Sequence, residues 1–177
     1  MFAAPEFSTV ILVHPRIDAP LNLSRRLQNR IDENRNLLRN AVRISGASMC
    51  LLGAVGGASQ AFALLPNCRS ILTDAVEFWQ NGDVTGDLGP ADTRAVYVGG
   101  AWLDEEVLFT ALNAVRIGYD TRVLFDVSVA RSWCDRTPAL DRMLQHGVLV
   151  ATIRQVVVEW SIAAHDREIG RHLRNIL

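Results

Sequence analysis

Val96-Tyr97-Val98-Gly99-Gly100-Ala101-Trp102-Leu103-Asp104-Glu105-Glu106-Val107 passes from an apolar β-forming run, through paired glycines, into an acidic stretch that opens a helical pattern. Arg94 to Val98 reads as a strand running into Gly99-Gly100, and Asp104 reads as the cap of a helix with Val107, Leu108, Ala111, Ala114 and Val115 on one face. Gly118 closes that helix, and Thr121 to Asp126 forms the next strand. Strand, crossover helix and strand in that order predict parallel pairing.

The same alternation extends both ways. Upstream, Thr9 to Val13 is apolar on both faces, as a buried parallel strand should be. A long helix follows with Leu23, Leu27, Ile31, Leu38 and Val42 on one stripe and Gly46 at its end, and Ser48 to Ala54 reads as a second strand. From Gly53 to Pro90 glycines and prolines weaken the pattern, which predicts loops, with a turn at Gly53 to Gly57 and one short strand. Downstream, Thr137-Pro138 opens a short helix that ends at Gly147, Val148 to Ala151 is the last strand, and Thr152 caps a final helix that extends towards Ile169 and Leu173. No internal repeat or linker divides the chain, so one domain over residues 1–177 is expected.

Composition excludes several classes. The 177 residues are 49% hydrophobic and 21% charged, enough to build a core without staples. A net charge of −1 gives no broad attraction to nucleic acid or anionic membrane, and neither partner is expected, although charge can still cluster locally. The first apolar run is six residues long and lacks a basic flank, so it reads as a core strand rather than a leader or a membrane span. Three cysteines without CxxC spacing argue against a disulfide framework or a cysteine zinc site and favour a reduced, cytoplasmic setting. All 18 basic residues are arginines, because the chain contains no lysine.

Residues 96–107, followed by Thr110-Ala111, Gly118-Tyr119 and Val123-Leu124-Phe125-Asp126, resemble the isochorismatase-like cysteine hydrolase family over nearly the whole chain. In that family the first strand ends in Asp-x-Gln and a later strand runs into Gly-x-x-x-Asp-x-Cys-Val. The resemblance implies an α/β three-layer sandwich around a mostly parallel, Rossmann-like six-stranded sheet, with homo-oligomers; no cofactor or metal is expected. It also implies a site built from a thiolate nucleophile, a carboxylate that takes up a proton and a cation that keeps the thiol ionised.

None of the three is in place. Glu106 stands at the nucleophile's position, His14 at the end of the first strand where the family has its Asp, and Phe78 to Gln80 on the segment of the family's lysine. Carboxylates do act as nucleophiles elsewhere, but exchanging sulfur for oxygen does not preserve this mechanism. Arg69 and Arg94 are alternative cations, yet arginine's planar, permanently charged fork does not copy a lysine that exchanges protons.

Other residue types offer no clear replacement. Cys50 falls in a core strand, Cys68 follows Pro66-Asn67, and Cys134 lies between Arg131 and Arg136, whose charge would lower its pKa if they converged on it. His146, His165 and His172 lack metal-ligand spacing, and residues 53–57 lack a phosphate-loop ending. Trp79, Trp102, Trp133 and Trp160 read as core or interface anchors, with Trp102 and Trp133 placed to fill a disused pocket and Trp160 to form an oligomer contact. The leading expectation is therefore a protein without the family's catalysis that serves as a scaffold or binds a partner or a small ligand. The alternative is a divergent hydrolase of small amide, imide or vinyl-ether compounds using His14, Asp104 and Glu106, or one completed by a partner chain.

Overall fold

In a computed structural model, residues 2–15, 23–53, 60–80, 88 and 92–177 are described. The strands β1 (Ser8–Val13), β2 (Ser48–Leu52), β3 (Cys68–Ile71), β4 (Ala95–Gly100), β5 (Asp120–Leu124) and β6 (Leu149–Ala151) form one sheet in the order β3-β2-β1-β4-β5-β6. Every pairing is parallel, with Val10 opposite both Met49 and Tyr97, and Val13 opposite Leu52 and Gly100. The helices are α1 (Arg25–Ser45), α2 (Gln60–Ala63), α3 (Ala75–Gln80), α4 (Leu108–Arg116), α5 (Trp133–Gln145), α6 (Ile153–Ala163) and α7 (Arg167–Asn175).

The period-two alternation of the strands divides the core into two layers. Val10, Leu12, Tyr97 and Leu124 pack with Leu38 and Val42 of α1, Val156 and Trp160 of α6, and Leu173 of α7. Ile11, Val13, Val96, Val98 and Val123 face the other way, against α3, Ala111 of α4 and Met143 of α5. All six residues of β1 are buried, which is why that strand carries no polar face. Ser24 caps α1 by accepting from the Leu27 N–H, and Gly46 ends it in the left-handed conformation. Thr152 and Gln155 form a reciprocal capping box at the start of α6.

Several expected boundaries move. The β4 strand keeps Gly99 and Gly100 within its pairing instead of turning at them, and β5 stops at Leu124, so Asp126 lies in the following short 3-10 turn. Ser132 starts α5 by accepting from the Cys134 N–H, leaving Pro138 inside the helix, where Thr137-Pro138 predicts its start. The last helix breaks at Ala164, and Asp166 caps a separate α7. Among its described residues the weak stretch holds the strand β3 but also α2 and α3, while of the turn predicted over 53–57 all but Gly53 lies outside the described residues. Among the described residues no helix is long and apolar enough to cross a membrane, and no cluster of His, Cys, Asp or Glu has metal-holding geometry.

Candidate functional site

Strands β1 and β4 are neighbours, yet the chain leaves β1 towards β2 and leaves β4 towards β5, which opens a crevice beyond Val13 and Gly100. On one side His14 follows β1 directly. Its N–H donates to the Leu52 carbonyl at 2.8 Å, and its φ of 40° is one that side-chain-bearing residues rarely adopt. On the other side the Ala101 N–H donates to the Val13 carbonyl at 2.9 Å. Gly100 has φ +115°, and a Cβ there would stand 2.0 Å from the Val13 oxygen, so this close approach of β4 to β1 requires glycine.

Beyond a cis Ala101–Trp102 bond, the chain winds through a single π-helical turn, Leu103–Val107, into α4. Asp104 does not cap this turn. Trp102 occupies the cap position without a side-chain bond, and the Asp104 Oδ1 instead accepts from the Arg131 N–H at 3.0 Å. Glu106 does the terminal work by reaching back, its Oε2 accepting from the Trp102 N–H at 3.3 Å. The acids at 104–106 suit the positive end of the helix.

The same Glu106 meets His14 across the crevice. Its Oε1 lies 3.5 Å from His14 Nε2, a distance at which attraction depends on a protonated imidazole. The opposite edge of the ring faces Gly53, where a Cβ would come within 2.7 Å of Nδ1. The imidazole is thus held between Gly53 and Glu106, with 32% of its side chain exposed against 23% for Glu106. Such a pair can store or relay a proton. It contains no thiolate.

The remaining expected residues are not gathered with it. Phe78 and Trp79 pack edge to face at 5.3 Å within the layer that holds Val13 and Leu103, whereas Gln80 ends α3 exposed. Arg94 immediately precedes β4 with its guanidinium 5.4 Å from the Phe7 ring, and Arg69 is exposed on the outer strand β3. Cys50 is buried on β2, opposite Ile11. Burial raises the Cys68 pKa to about 11, so its thiol stays protonated at neutral pH. Cys134 is exposed, but its arginine neighbours turn elsewhere: Arg131 Nε donates to Glu105 at 2.8 Å, and Arg136 donates to the carbonyls of Ser128 and Phe125. His146 faces the Arg142 carbonyl, His165 contacts Glu6, and His172 is exposed on α7.

Trp79 and Trp160 are core anchors as expected, while two finer readings fail. Trp160 is fully buried and donates from Nε1 to the Tyr97 hydroxyl at 3.2 Å, so it is a core anchor and not an oligomer contact. Trp133 fills no pocket, since 74% of it is exposed. The signals missed at the sequence level were the clamp formed by Gly53 and the backward reach of Glu106. The second was foreshadowed by an acid four residues beyond the cap position.

No family model and no curated protein matches this sequence. Solved structures do. The MAR1 ribonuclease of Caenorhabditis elegans is similar with a TM-score of 0.81 at 18% identity, covering 100% of this chain and 92% of its own. The octameric hydrolase YcaC of Escherichia coli gives 0.73 at 19% identity, covering 99% and 88%. The nicotinamidase SaPncA of Staphylococcus aureus gives 0.69 at 16%, covering 83% and 99%. This is the isochorismatase-like fold. Likeness at such identities concerns the backbone, and within that fold His14 and Glu106 occupy the two sides of the crevice at the β1–β4 junction.

Proposed function

We propose that this protein is a cytoplasmic, homo-oligomeric binding or scaffold protein that has abandoned the thiol chemistry associated with its fold. One observation carries the reading: at the crevice, the residues in place of the carboxylate and the nucleophile, His14 and Glu106, contact each other. Two further facts support it. The chain has no lysine to serve as the exchangeable cation, and Glu106 is occupied with the Trp102 backbone N–H at the head of its own helical turn. The octameric state of YcaC lends weight to assembly. A light-scattering mass equal to one chain would remove that part.

A second reading, a divergent hydrolase, draws on the partial exposure of the same pair, which resembles a proton acceptor beside an orienting carboxylate. Asp104 has no part in it, since it binds the Arg131 backbone. Turnover of small amides, imides and vinyl ethers by wild type and by the His14→Ala, Glu106→Ala double variant separates the two readings. Equal, background-level rates are expected. A wild-type rate that the double variant loses would establish the hydrolase.

A further inference from the structure

Between α1 and the segment joining β5 to α5 lies an open cleft of about 1540 Å³. At Trp102 it adjoins the turn that bears Glu106, but neither His14 nor Glu106 is among its described lining residues. Small-molecule sites usually enclose roughly 300–1,000 Å³, so this space suits an extended ligand better than a compact one.

Its floor alternates aromatic rings with guanidinium groups. Arg131 stands 4.6 Å from the Trp102 ring centroid, and Arg136 stands 3.8 Å from that of Phe125 and 5.8 Å from that of Trp133. These planes are fixed. Arg136 is anchored by the Ser128 and Phe125 carbonyls, and Arg131 by its Nε to both oxygens of Glu105, with the Arg131 side chain half-exposed. Trp133 leaves most of its indole in water at the start of α5, and α1 contributes Arg30 to the facing wall. A large exposed ring beside cationic planes offers a stacking face together with charge.

The geometry points to single-stranded nucleic acid as the occupant, with bases stacked on Trp133 and phosphates met by Arg30 and Arg131. Stacking recognises the flat face that every base presents, and arginine pairs with phosphate in its planar fork. An acidic peptide would use the guanidinium groups but leave the indole idle. Duplex hides its base faces and relies on dense charge neutralisation, which a chain of net charge −1 does not supply. The near-neutral composition predicts no nucleic-acid partner, and the local clustering of arginines with aromatic rings is what revises that expectation. The inference stands whether or not the His14–Glu106 pair is inert.

Fluorescence anisotropy with labelled uridine and thymidine decamers tests it, with the corresponding duplex, AMP and a polyglutamate peptide as competitors. Both decamers should bind, or only one if the 2′-hydroxyl is read, and duplex, AMP and peptide should compete poorly. The exposed Trp133→Ala change should weaken binding roughly 5- to 150-fold, the range of a lost base–aromatic stack. Arg30→Ala should weaken it less and flatten the salt dependence by about 0.7 in the slope of log K against log salt. Ile162→Ala, exposed on α6 away from the cleft lining, should change nothing. The proposal fails if neither decamer binds, if both cleft variants bind like wild type, or if AMP or the peptide competes as well as the decamers. It also fails if Trp133→Ala lowers the solution mass, which would make the cleft an interface between copies.

Discussion

Among the described residues, the pair on β5 and the pair at the crevice each link the sheet side to a helical segment through opposite potential charge, and they have little else in common. Arg122 on β5 binds Glu159 of α6 and, at 3.2 Å, Asp120, with its guanidinium 5.6 Å from the Tyr97 ring and only 7% of its side chain exposed. Burial disfavours its charge, but Tyr97, Asp120 and Glu159 together outweigh that and raise its pKa. It is therefore a permanent cation locked in the structure. His14 and Glu106 are further apart, more exposed, and charged as a pair only when the imidazole is protonated. The first arrangement holds the layers together. The second sits where the fold makes reactive geometry available, and it holds groups that can exchange a proton.

The largest expected effect breaks the buried pair. Arg122→Ala leaves Glu159, with 20% of its side chain exposed, without its partner, and removes the cation beside Tyr97. A loss of about 3 kcal/mol is expected in urea unfolding, the lower end of the range for breaking a buried pair because Glu159 keeps some water. A cost below about 1 kcal/mol would put this pair on the footing of exposed ones, which are worth no more than that.

A smaller effect addresses the crevice. Gly53→Ala places a Cβ 2.7 Å from His14 Nδ1 at a φ of +89°, and should cost roughly 1–3 kcal/mol. Part of that cost is steric and should vanish in a His14→Ala background, giving a coupling on the order of 1 kcal/mol in a double-mutant cycle. Full additivity would mean that the ring is not held by Gly53.

The legibility of these regions in the sequence follows the same division. β1, α1 and the run from β4 to β6 were readable because apolar periodicity and end signals agree there: Gly46, Gly118 and Thr152 each mark a real terminus. Where two signals competed, the tertiary one prevailed. Asp104 has the chemistry of a cap, but the loop bearing Arg131 claims it, while Pro138 marks a helix start only until Ser132 begins the helix five residues before Thr137. Placing Glu106 and His14 at the crevice was possible from order alone. Their mutual contact, the Gly53 clamp and the burial of Trp160 depend on distances across the sheet, which no local pattern encodes.

One carboxylate is intermediate in character between the two pairs. Asp126 follows β5, and its Oδ1 accepts from the Ile153 N–H at the head of α6 at 3.0 Å. Burial raises its pKa, only partly opposed by that bond, by its own backbone and by Arg30 and Arg136. A carboxyl whose pKa is higher in the folded chain than in the unfolded one binds more protons when folded, so its contribution to stability falls as pH rises through the carboxylate range and stays low above it. Asp126→Asn retains an oxygen to accept from Ile153 without carrying the charge. Relative to wild type, the variant should therefore gain stability between pH 4 and pH 7, by less than about 1 kcal/mol. Thermal or urea unfolding at the two pH values reads this directly, and a relative loss over that interval would mean that Arg30 and Arg136 hold Asp126 as firmly as Arg122 holds Glu159.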